Sequence, residues 1–462
     1  MKLRRFLLRY YPPGIILEYQ HRSGETNSRC IDLFDLSPAD SADIESLASA
    51  VITAESHLSE KHKPVLMKLI LRLLDKQKPA GECRFELVRA QQTHFLPMTN
   101  VAWSKDGSQF VTGSYDQTCR VWNTWDVGTC LTLEGVHDNV VYAVTVNANN
   151  PQCVLTGSFD GSAVLWDAST GVPLSRLTDH AGEIVCVAFS PNGKLCASGS
   201  MDFTAALWDV ESGEKVSHLK GHAGEIISLT FSSDSSRILT GSFDTTSRVW
   251  DVSSGSCIAP LIGHEGEISS AVFSFSGDFC VTGSIDSSAR LWESTTGRCI
   301  DILEGHSDEV LDVQFNLVGS RIVTASADTT ARIFNAKTGA CVAILTGHQG
   351  EVSRSVFSPN GTYVLTASTD RTCRIWSPFG ECLQILEGHT QEVFCCGFNY
   401  EADLIFTASK DNTVRVYQAR SSSVKSTSRP RALSSLDSVV SVGFSGGLED
   451  AAYRLRASDE FT

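Results

Sequence analysis

The sequence has few of the features that mark a metal centre, a nucleotide site or a membrane span. Its 15 cysteines form no Cys-x-x-Cys pair, the spacing typical of zinc ligands, so we expect reduced, structural thiols. It contains neither an HExxH motif nor a GxxxxGK phosphate loop. No apolar run reaches the roughly 18 residues of a membrane helix, and Arg9 and Pro12 interrupt the apolar start. These absences predict a soluble protein that takes no metal or other cofactor and binds no membrane.

Positive charge is scarce in the centre of the chain. The 462 residues include 38 basic and 53 acidic side chains, a formal net charge of -15. Residues 1–80 carry 12 basic and 10 acidic side chains and residues 419–462 carry 6 and 5, so the centre holds 20 and 38. A surface of this sign repels a phosphate backbone, and we expect no nucleic acid partner.

One pattern recurs eight times in the centre. A His is followed after 18 or 19 residues by Ser or Thr, then by Asp four residues on and an aromatic residue six further. The Asp positions are Asp116, Asp160, Asp202, Asp244, Asp286, Asp328, Asp370 and Asp411. A period near 42 with GH and WD signatures is typical of a four-stranded propeller blade. Apolar alternation in one period predicts strands at 226–231, 237–241, 247–250 and 257–262.

On these motifs the chain resembles the WD-repeat family over residues 84–418. The resemblance predicts an all-β fold, an eight-bladed WD-repeat β-propeller preceded by a small α+β N-terminal domain in residues 1–80. The last copy stops after its third strand, so we expect the run 85–89 to complete the eighth blade as its outer strand. Two helices are predicted near 40–55 and 61–76, with short extended pieces at 15–19 and 31–36. Residues 419–462 are rich in Ser and predict a disordered tail.

Each repeat offers a hydroxyl, an imidazole and a carboxylate, which in isolation suggest a hydrolase triad. Because the set occurs eight times, we interpret it as structural and predict no enzyme. The resemblance implies a buried relay in which the Trp N–H bonds the hydroxyl, the hydroxyl bonds the His, and the His bonds the Asp. Two such quartets are His180, Ser198, Asp202, Trp208 and His222, Thr240, Asp244, Trp250. Phe334 and Tyr417 replace the Trp in repeats six and eight, where we expect weaker relays.

The resemblance also implies which residues reach the top face of the propeller, namely those three and five after each His and the one before each Asp. Six of these positions are acidic: Glu183, Glu225, Glu267, Glu309, Glu351 and Glu392. Others are aromatic: Tyr115, Tyr142, Phe159, Phe243 and Phe394. Apolar anchors beside one sign of charge predict a binding surface for a basic amphipathic protein segment. The alternative is that the arginines four residues after the Asp in six of the repeats neutralise the glutamates as structural ion pairs.

The N-terminal stretch MKLRRFLLRYYPPGIILEY, the helix pair and repeats containing GHAGEI and ASADTTARIF together resemble the outer row dynein assembly family of WD-repeat proteins. The resemblance implies a non-enzymatic cargo adaptor that links outer-arm axonemal dynein to intraflagellar transport for assembly in motile cilia or flagella. Its implied partners are an intraflagellar transport complex B subunit and outer-arm dynein or its docking factors. We expect a monomer located in the cytoplasm, the cilium or flagellum and the basal body.

Five N-terminal residues are candidates for binding the transport subunit: Arg4, Arg5, Arg9, Tyr10 and Tyr11. The alternative is that they anchor the small domain. A different function also stays open, a WD-repeat scaffold of another pathway, such as a cytoplasmic dynein regulator or a ubiquitin-ligase substrate receptor. Such proteins usually carry a LisH or F-box segment, and residues 1–80 show neither clearly.

Overall fold

The structure is a computed structural model that describes residues 2–20, 26–33, 44–55, 58–77, 83–126, 128, 130–421 and 442–443. The chain divides into two compact units, residues 1–83 with 421–462, and residues 84–420. None of the helices among these described residues is long and apolar enough to span a bilayer.

The first unit is a small antiparallel sheet with two helices. Its elements are β1 Lys2–Arg9, β2 Gly14–Gln20, β3 Thr26–Asp32, α1 Ile44–Ala54, a 3₁₀ turn Glu60–His62 and α2 Lys63–Gln77. Alternate residues of β1 and β2, among them Phe6 and Leu17, are buried in one cluster with Leu66 and Leu73 of α2. The helices thus cover one face of the sheet.

The sequence analysis assigned no element to Lys2–Arg9, which forms strand β1. The extended piece predicted at 31–36 overlaps only the end of β3, which begins at Thr26 and ends at Asp32, and residues 34–36 lie outside the described residues. Most of the predicted tail lies outside the described residues. Val442–Gly443 is described and pairs antiparallel with Phe6 and Arg5 at the open edge of β1.

The second unit is a ring of four-stranded antiparallel sheets, which we number as blades one to eight. Blades one to four consist of β5 Met98–Trp103, β6 Gln109–Ser114, β7 Cys119–Asn123, β8 Cys130–Leu133; β9 Val141–Val146, β10 Cys153–Ser158, β11 Ser162–Asp167, β12 Pro173–Thr178; β13 Ile184–Phe189, β14 Leu195–Ser200, β15 Thr204–Asp209, β16 Lys215–Lys220; and β17 Ile226–Phe231, β18 Arg237–Ser242, β19 Ser247–Asp251, β20 Cys257–Leu261. Blades five to eight consist of β21 Ile268–Phe273, β22 Phe279–Ser284, β23 Ala289–Glu293, β24 Cys299–Leu303; β25 Val310–Phe315, β26 Arg321–Ser326, β27 Ala331–Asn335, β28 Cys341–Leu345; β29 Val352–Phe357, β30 Val364–Ser368, β31 Cys373–Trp376, β32 Cys382–Leu386; and β33 Val393–Phe398, β34 Leu404–Ser409, β35 Thr413–Ser421, β4 Cys83–Gln92.

The eight sheets confirm the predicted fold class. In blade four each strand lies within one residue of the bounds that apolar alternation predicts. The cores lie between successive blades, because both faces of each sheet are covered. For example, Leu239 and Val249 of blade four share one buried cluster with Ile268 and Trp292 of blade five.

Strand β4 joins the two ends of the ring, since it lies beside β35 as the outer strand of blade eight. Its Phe85 N–H donates to Gln384 Oε1 of blade seven at 2.9 Å, and Gln384 Nε2 donates to Phe85 O at 2.7 Å. The Phe85 ring is buried edge-on against Phe398 of blade eight. The Arg89 guanidinium is buried and donates to the Asn123 carbonyl of blade one. One strand therefore ties three blades together.

Candidate protein-binding face of the propeller

Each blade holds a chain of buried polar side chains. In blade four, Trp250 Nε1–H donates to Thr240 Oγ1 at 2.9 Å, and Thr240 Oγ1–H donates to His222 Nε2 at 2.8 Å. His222 Nδ1–H donates to Asp244 Oδ2 at 2.8 Å. Every link satisfies a buried donor or acceptor that would otherwise cost roughly 1–3 kcal/mol.

The second predicted quartet has the same geometry. Trp208 Nε1–H donates to Ser198 Oγ at 3.0 Å, the Ser198 hydroxyl bonds His180 Nε2 at 3.0 Å, and His180 Nδ1–H donates to Asp202 Oδ2 at 2.9 Å. Over all eight blades the His–Asp distances are 2.7–3.0 Å and the His–hydroxyl distances are 2.7–3.0 Å. The eight sets are bonded in the same way, as expected of scaffolding.

The electrostatics fix the direction of these bonds. Burial favours the neutral carboxyl of Asp244, but hydrogen bonds from Thr246, the Ala223 backbone N–H and His222 outweigh it and lower the pKa of Asp244 to about 2. Burial lowers the pKa of His222, which the bond to Asp244 only partly offsets. A neutral imidazole therefore donates from Nδ1 to an ionised carboxylate and accepts at Nε2.

The Asp also holds a strained turn. Asp244 Oδ1 accepts from the Thr246 backbone N–H at 2.9 Å, and Oδ2 accepts from the Ala223 N–H at 2.9 Å. The residue after each Asp has a left-handed φ between 62° and 77°. These residues are Gln117, Gly161, Phe203, Thr245, Ser287, Thr329, Arg371 and Asn412. Because that region costs an L-residue about 1–2 kcal/mol, the carboxylate bonds position this turn against its backbone strain.

Blades six and eight lack the Trp link. In blade six the His306 distances are 2.8 Å to Asp328 and 2.7 Å to Thr324, as short as elsewhere, and Phe334 offers no donor. In blade eight the Tyr417 hydroxyl is buried close to Thr407 and Arg415 but makes no hydrogen bond of normal geometry among the described residues. The substitution thus removes one link and leaves the other distances within the range of the complete relays.

Blade six provides a matched control for the energy of the relay. We expect Thr240→Val to lower the free energy of unfolding by about 2–4 kcal/mol, because it leaves both Trp250 Nε1–H and His222 Nε2 unpaired. Thr324→Val leaves only His306 Nε2 unpaired, so about half that loss is expected. Urea unfolding of both variants measures the difference, and equal losses would count against the relay geometry.

The pKa shifts predict destabilisation by acid. Burial lowers the pKa of His222, His264, His306 and His348, so as the pH falls through about 6.5 the unfolded chain takes up protons before the folded chain does. The lowered pKa values of Asp116, Asp244, Asp286, Asp328 and Asp370, each about 2, add a second loss as the pH falls from about 4 to 2. Urea midpoints measured from pH 7 to 3 should decline, whereas a constant or rising midpoint would contradict this assignment.

The predicted top-face positions do lie together. In every blade the backbone N–H of the residue before the Asp donates to the carbonyl of the residue three after the His, at 2.9–3.0 Å. Examples are Phe243 N–H to Glu225 O and Tyr115 N–H to Pro97 O. The turn between the second and third strands therefore meets the loop before the innermost strand, and these two segments define the top face.

The glutamates of the top face, which we call the acidic arc, are Glu183, Glu225, Glu267, Glu309, Glu351 and Glu392. Glu183, Glu309 and Glu351 are exposed, and the other three are half-buried. Of these six glutamates, only Glu392 forms an ion pair with another described residue, and its partner is Lys410. Two of the arginines four residues after the Asp donate to backbone carbonyls instead of pairing with these glutamates. Arg120 Nη1 donates to the Thr93 carbonyl at 2.8 Å, and Arg415 donates to the Gly388 carbonyl at 2.5 Å. The ion-pair alternative therefore does not describe this arc.

The predicted aromatic residues fall into two groups. Tyr142 and Phe159 stack with ring centroids 4.9 Å apart, and burial together with the neighbouring Tyr115 raises the pKa of Tyr142. Phe243 is exposed in blade four. Phe394 instead packs against the buried cluster that joins blades eight and one, so it is only partly available.

Sequence reasoning missed three exposed residues of this face. Phe95 and Leu96 follow His94, where other blades have Ala, Gly or polar residues, and Phe203 follows Asp202 in the strained turn. A comparison of the two residues after each His across the eight copies would have identified Phe95 and Leu96.

The N-terminal candidates are largely engaged within their own unit. Arg5 pairs with Glu18 of the adjacent strand, and Arg9 Nε donates to the Pro12 carbonyl at 2.8 Å. Tyr10 is half-buried against the unit's core, and Tyr11 is only 8% exposed. The burial of Tyr11 favours the alternative that it anchors the small domain, and its role in binding a partner stays a prediction. The Arg4 side chain lies outside the described residues.

The remaining titratable groups form no recognised centre within the described ranges. No group of three or more His, Cys, Asp or Glu there is placed to hold a metal ion. All 15 cysteines are free thiols, and burial raises the pKa of those in the core, such as Cys153 to about 11.

Comparison with protein families gives eight consecutive matches. A model described as WD domain, G-beta repeat matches residues 85–123, 128–167, 171–209, 213–251, 255–293, 297–335, 339–377 and 380–418. Each match begins at the outer strand of one blade and ends at the third strand of the next. Because each match is offset from the blades by one strand, the first match begins with β4, which is the outer strand of blade eight.

Individual proteins are also similar. "Dynein assembly factor with WD repeat domains 1" of Xenopus laevis and of Homo sapiens are each 48% identical over 195 residues, which cover 42% of this chain and 46% of the relative. The protein of that name in Mus musculus is 47% identical over 191 residues, covering 41% and 45%. The chain thus spans about half the length of the curated relatives it matches. The crystal structure of the computationally designed Ika8 protein matches with a TM-score of 0.65 and 28% identity, covering 72% of this chain and 99% of that one.

Proposed function

We propose that this chain, which belongs to the WD-repeat family, is a dynein assembly factor that acts as a non-enzymatic adaptor. It links outer-arm axonemal dynein to intraflagellar transport by binding both at once, as a monomer, in the cytoplasm, at the basal body and in the cilium or flagellum. The observation that carries the proposal is the 48% identity to proteins named as dynein assembly factors.

The structure supports a binding role through the properties of its polar residues. All eight His, hydroxyl and Asp sets are bonded internally, with short distances and buried imidazoles. On the acidic arc of the propeller, five of the six glutamates have no ion-pair partner among the described residues. A rigid ring with recognition groups on its surface is suited to hold other proteins.

The two units divide the work in this proposal. The top face of the propeller binds dynein or its docking factors through a basic segment. The N-terminal unit, with Arg5, Arg9 and Tyr10 among its candidate contacts, is required for binding a subunit of transport complex B.

A pull-down from ciliated-cell extract tests this division. The full chain is expected to retain both outer-arm dynein and transport complex B subunits, whereas residues 81–462 are expected to retain dynein and lose the transport subunits. Retention of neither partner by the full chain would refute the adaptor proposal. Equal retention of both by the two chains would refute the role of the N-terminal unit.

A further inference from the structure

We infer that the top face at blades one and two is an anchor site for a protein segment in which large apolar side chains lie next to Lys or Arg. The site consists of Phe95, Leu96, Tyr115, Tyr142 and Phe159, which we call the blade-one patch. The inference deepens the proposed function and rests on it, since it names the kind of segment that the adaptor binds.

Three residues of this patch are more exposed than the other large apolar residues of the face, such as Phe203 at 42% and Phe243 at 38%. Phe95 is 90% exposed, Leu96 48%, Tyr115 47% and Tyr142 36%. Tyr142 stacks on Phe159 within blade two, Tyr115 of blade one lies close enough to raise the pKa of Tyr142, and Thr99 Oγ1 of blade one donates to the Val141 carbonyl of blade two at 2.6 Å, so the two blades bring these side chains together. Contiguous exposed aromatic residues are typical of interface anchors.

The relay of blade one does not need the Phe95 side chain. It is complete, with His94 at 2.8 Å from both Asp116 Oδ2 and Thr112 Oγ1. At the position of Phe95 the third and fourth blades carry Ala181 and Ala223 and form the same relay. A large apolar group at this position is therefore available for a partner.

Charge on the neighbouring blades indicates the direction of the segment. The acidic arc begins in blade three with Glu183, which is exposed, and continues with Glu225, and neither forms an ion pair within the described residues. On the other side, in blade eight, Lys410 neutralises Glu392. The unpaired glutamate of the arc nearest to the patch is thus Glu183 in blade three, since the next one on the other side is Glu351 in blade seven, and basic residues of the segment extend from the blade-one patch towards blade three.

Selection from a random dodecapeptide phage library on the full chain tests the inference. We expect recovered peptides to combine Trp, Phe or Leu with adjacent Lys or Arg. The recovered peptides are then synthesised, and their affinity for the chain is measured by fluorescence anisotropy. Phe95→Ser should lower this affinity at least about tenfold. Phe379→Ser is the matched control, because Phe379 is 75% exposed in a turn between third and fourth strands, at the opposite end of its blade. It should leave affinity within about twofold, as should Glu392→Gln, whereas Glu183→Gln with Glu225→Gln should weaken binding.

Several results would overturn the inference. These are no enrichment of peptides, recovered peptides without basic residues, equal losses for Phe95→Ser and Phe379→Ser, or a loss for Glu392→Gln as large as that for the Glu183 and Glu225 pair. Circular dichroism melting of each variant verifies that it is folded. The assay uses purified chain and peptides, so its outcome is independent of which proteins the chain retains from ciliated-cell extract.

Discussion

A chain that begins at residue 93, and so lacks β4, is expected not to form a cooperatively folded ring, whereas one that begins at residue 83 is expected to do so. Without β4, blade eight has three strands and the cluster around Phe398 and Tyr417 opens to water. Burial of Phe85 alone is worth about 3–5 kcal/mol, comparable with the whole stability of many domains.

Point substitutions in the full chain separate this closure from a general effect of truncation. Phe85→Ala should lower the free energy of unfolding of the propeller by about 4 kcal/mol. Leu87→Ala, on the exposed side of the same strand, should cost less than about 1 kcal/mol. Urea unfolding followed by tryptophan fluorescence measures both. A cooperative transition without β4, or equal costs for the two alanines, would show that β4 does not close the ring.

Reversing three charges of the acidic arc is expected to weaken retention of the basic partner about a hundredfold. The variant carries Glu183→Lys, Glu225→Lys and Glu267→Lys. These carboxylates have no ion-pair partner in the described residues, so each reversal changes an attraction into a repulsion without breaking an internal bond. The fold should be unaffected because the three side chains lie outside the relays.

A control with the same net charge places the reversals elsewhere. Glu211, Glu214 and Glu381 lie in turns between third and fourth strands, at the end of the blade opposite the top face. Their change to Lys should leave retention of outer-arm dynein from extract nearly unaltered at physiological ionic strength. If both triple variants lose retention equally, net charge and not the arc would explain binding.

The number of blades and most strand bounds could be predicted from sequence because the same pattern of residues recurs eight times. An Asp such as Asp244 and an aromatic residue such as Trp250 mark the same turn and strand in each copy, so errors in one copy are corrected by the others. Strand β1 has no such repetition. Its apolar and basic residues alternate only approximately, and the pairing with Val442–Gly443 joins residues more than 400 apart in sequence.

Side-chain direction explains why parts of the candidate site could not be predicted. Glu225 and Arg248 share a blade, yet the structure shows no ion pair between them, and sequence spacing alone does not reveal this. The left-handed φ of Thr245 is equally hidden, because a β-branched residue usually avoids that conformation, and the bonds that Asp244 accepts from Thr246 help to hold it there.

The adaptor account is tested most directly by a two-step affinity purification from ciliated-cell extract, first through the tagged full chain and then through outer-arm dynein. We predict that the final eluate contains transport complex B subunits together with the chain and dynein in one assembly. An eluate with dynein and the chain but without those subunits, when the first step contained them, would mean that the two partners bind separate molecules and would contradict the account.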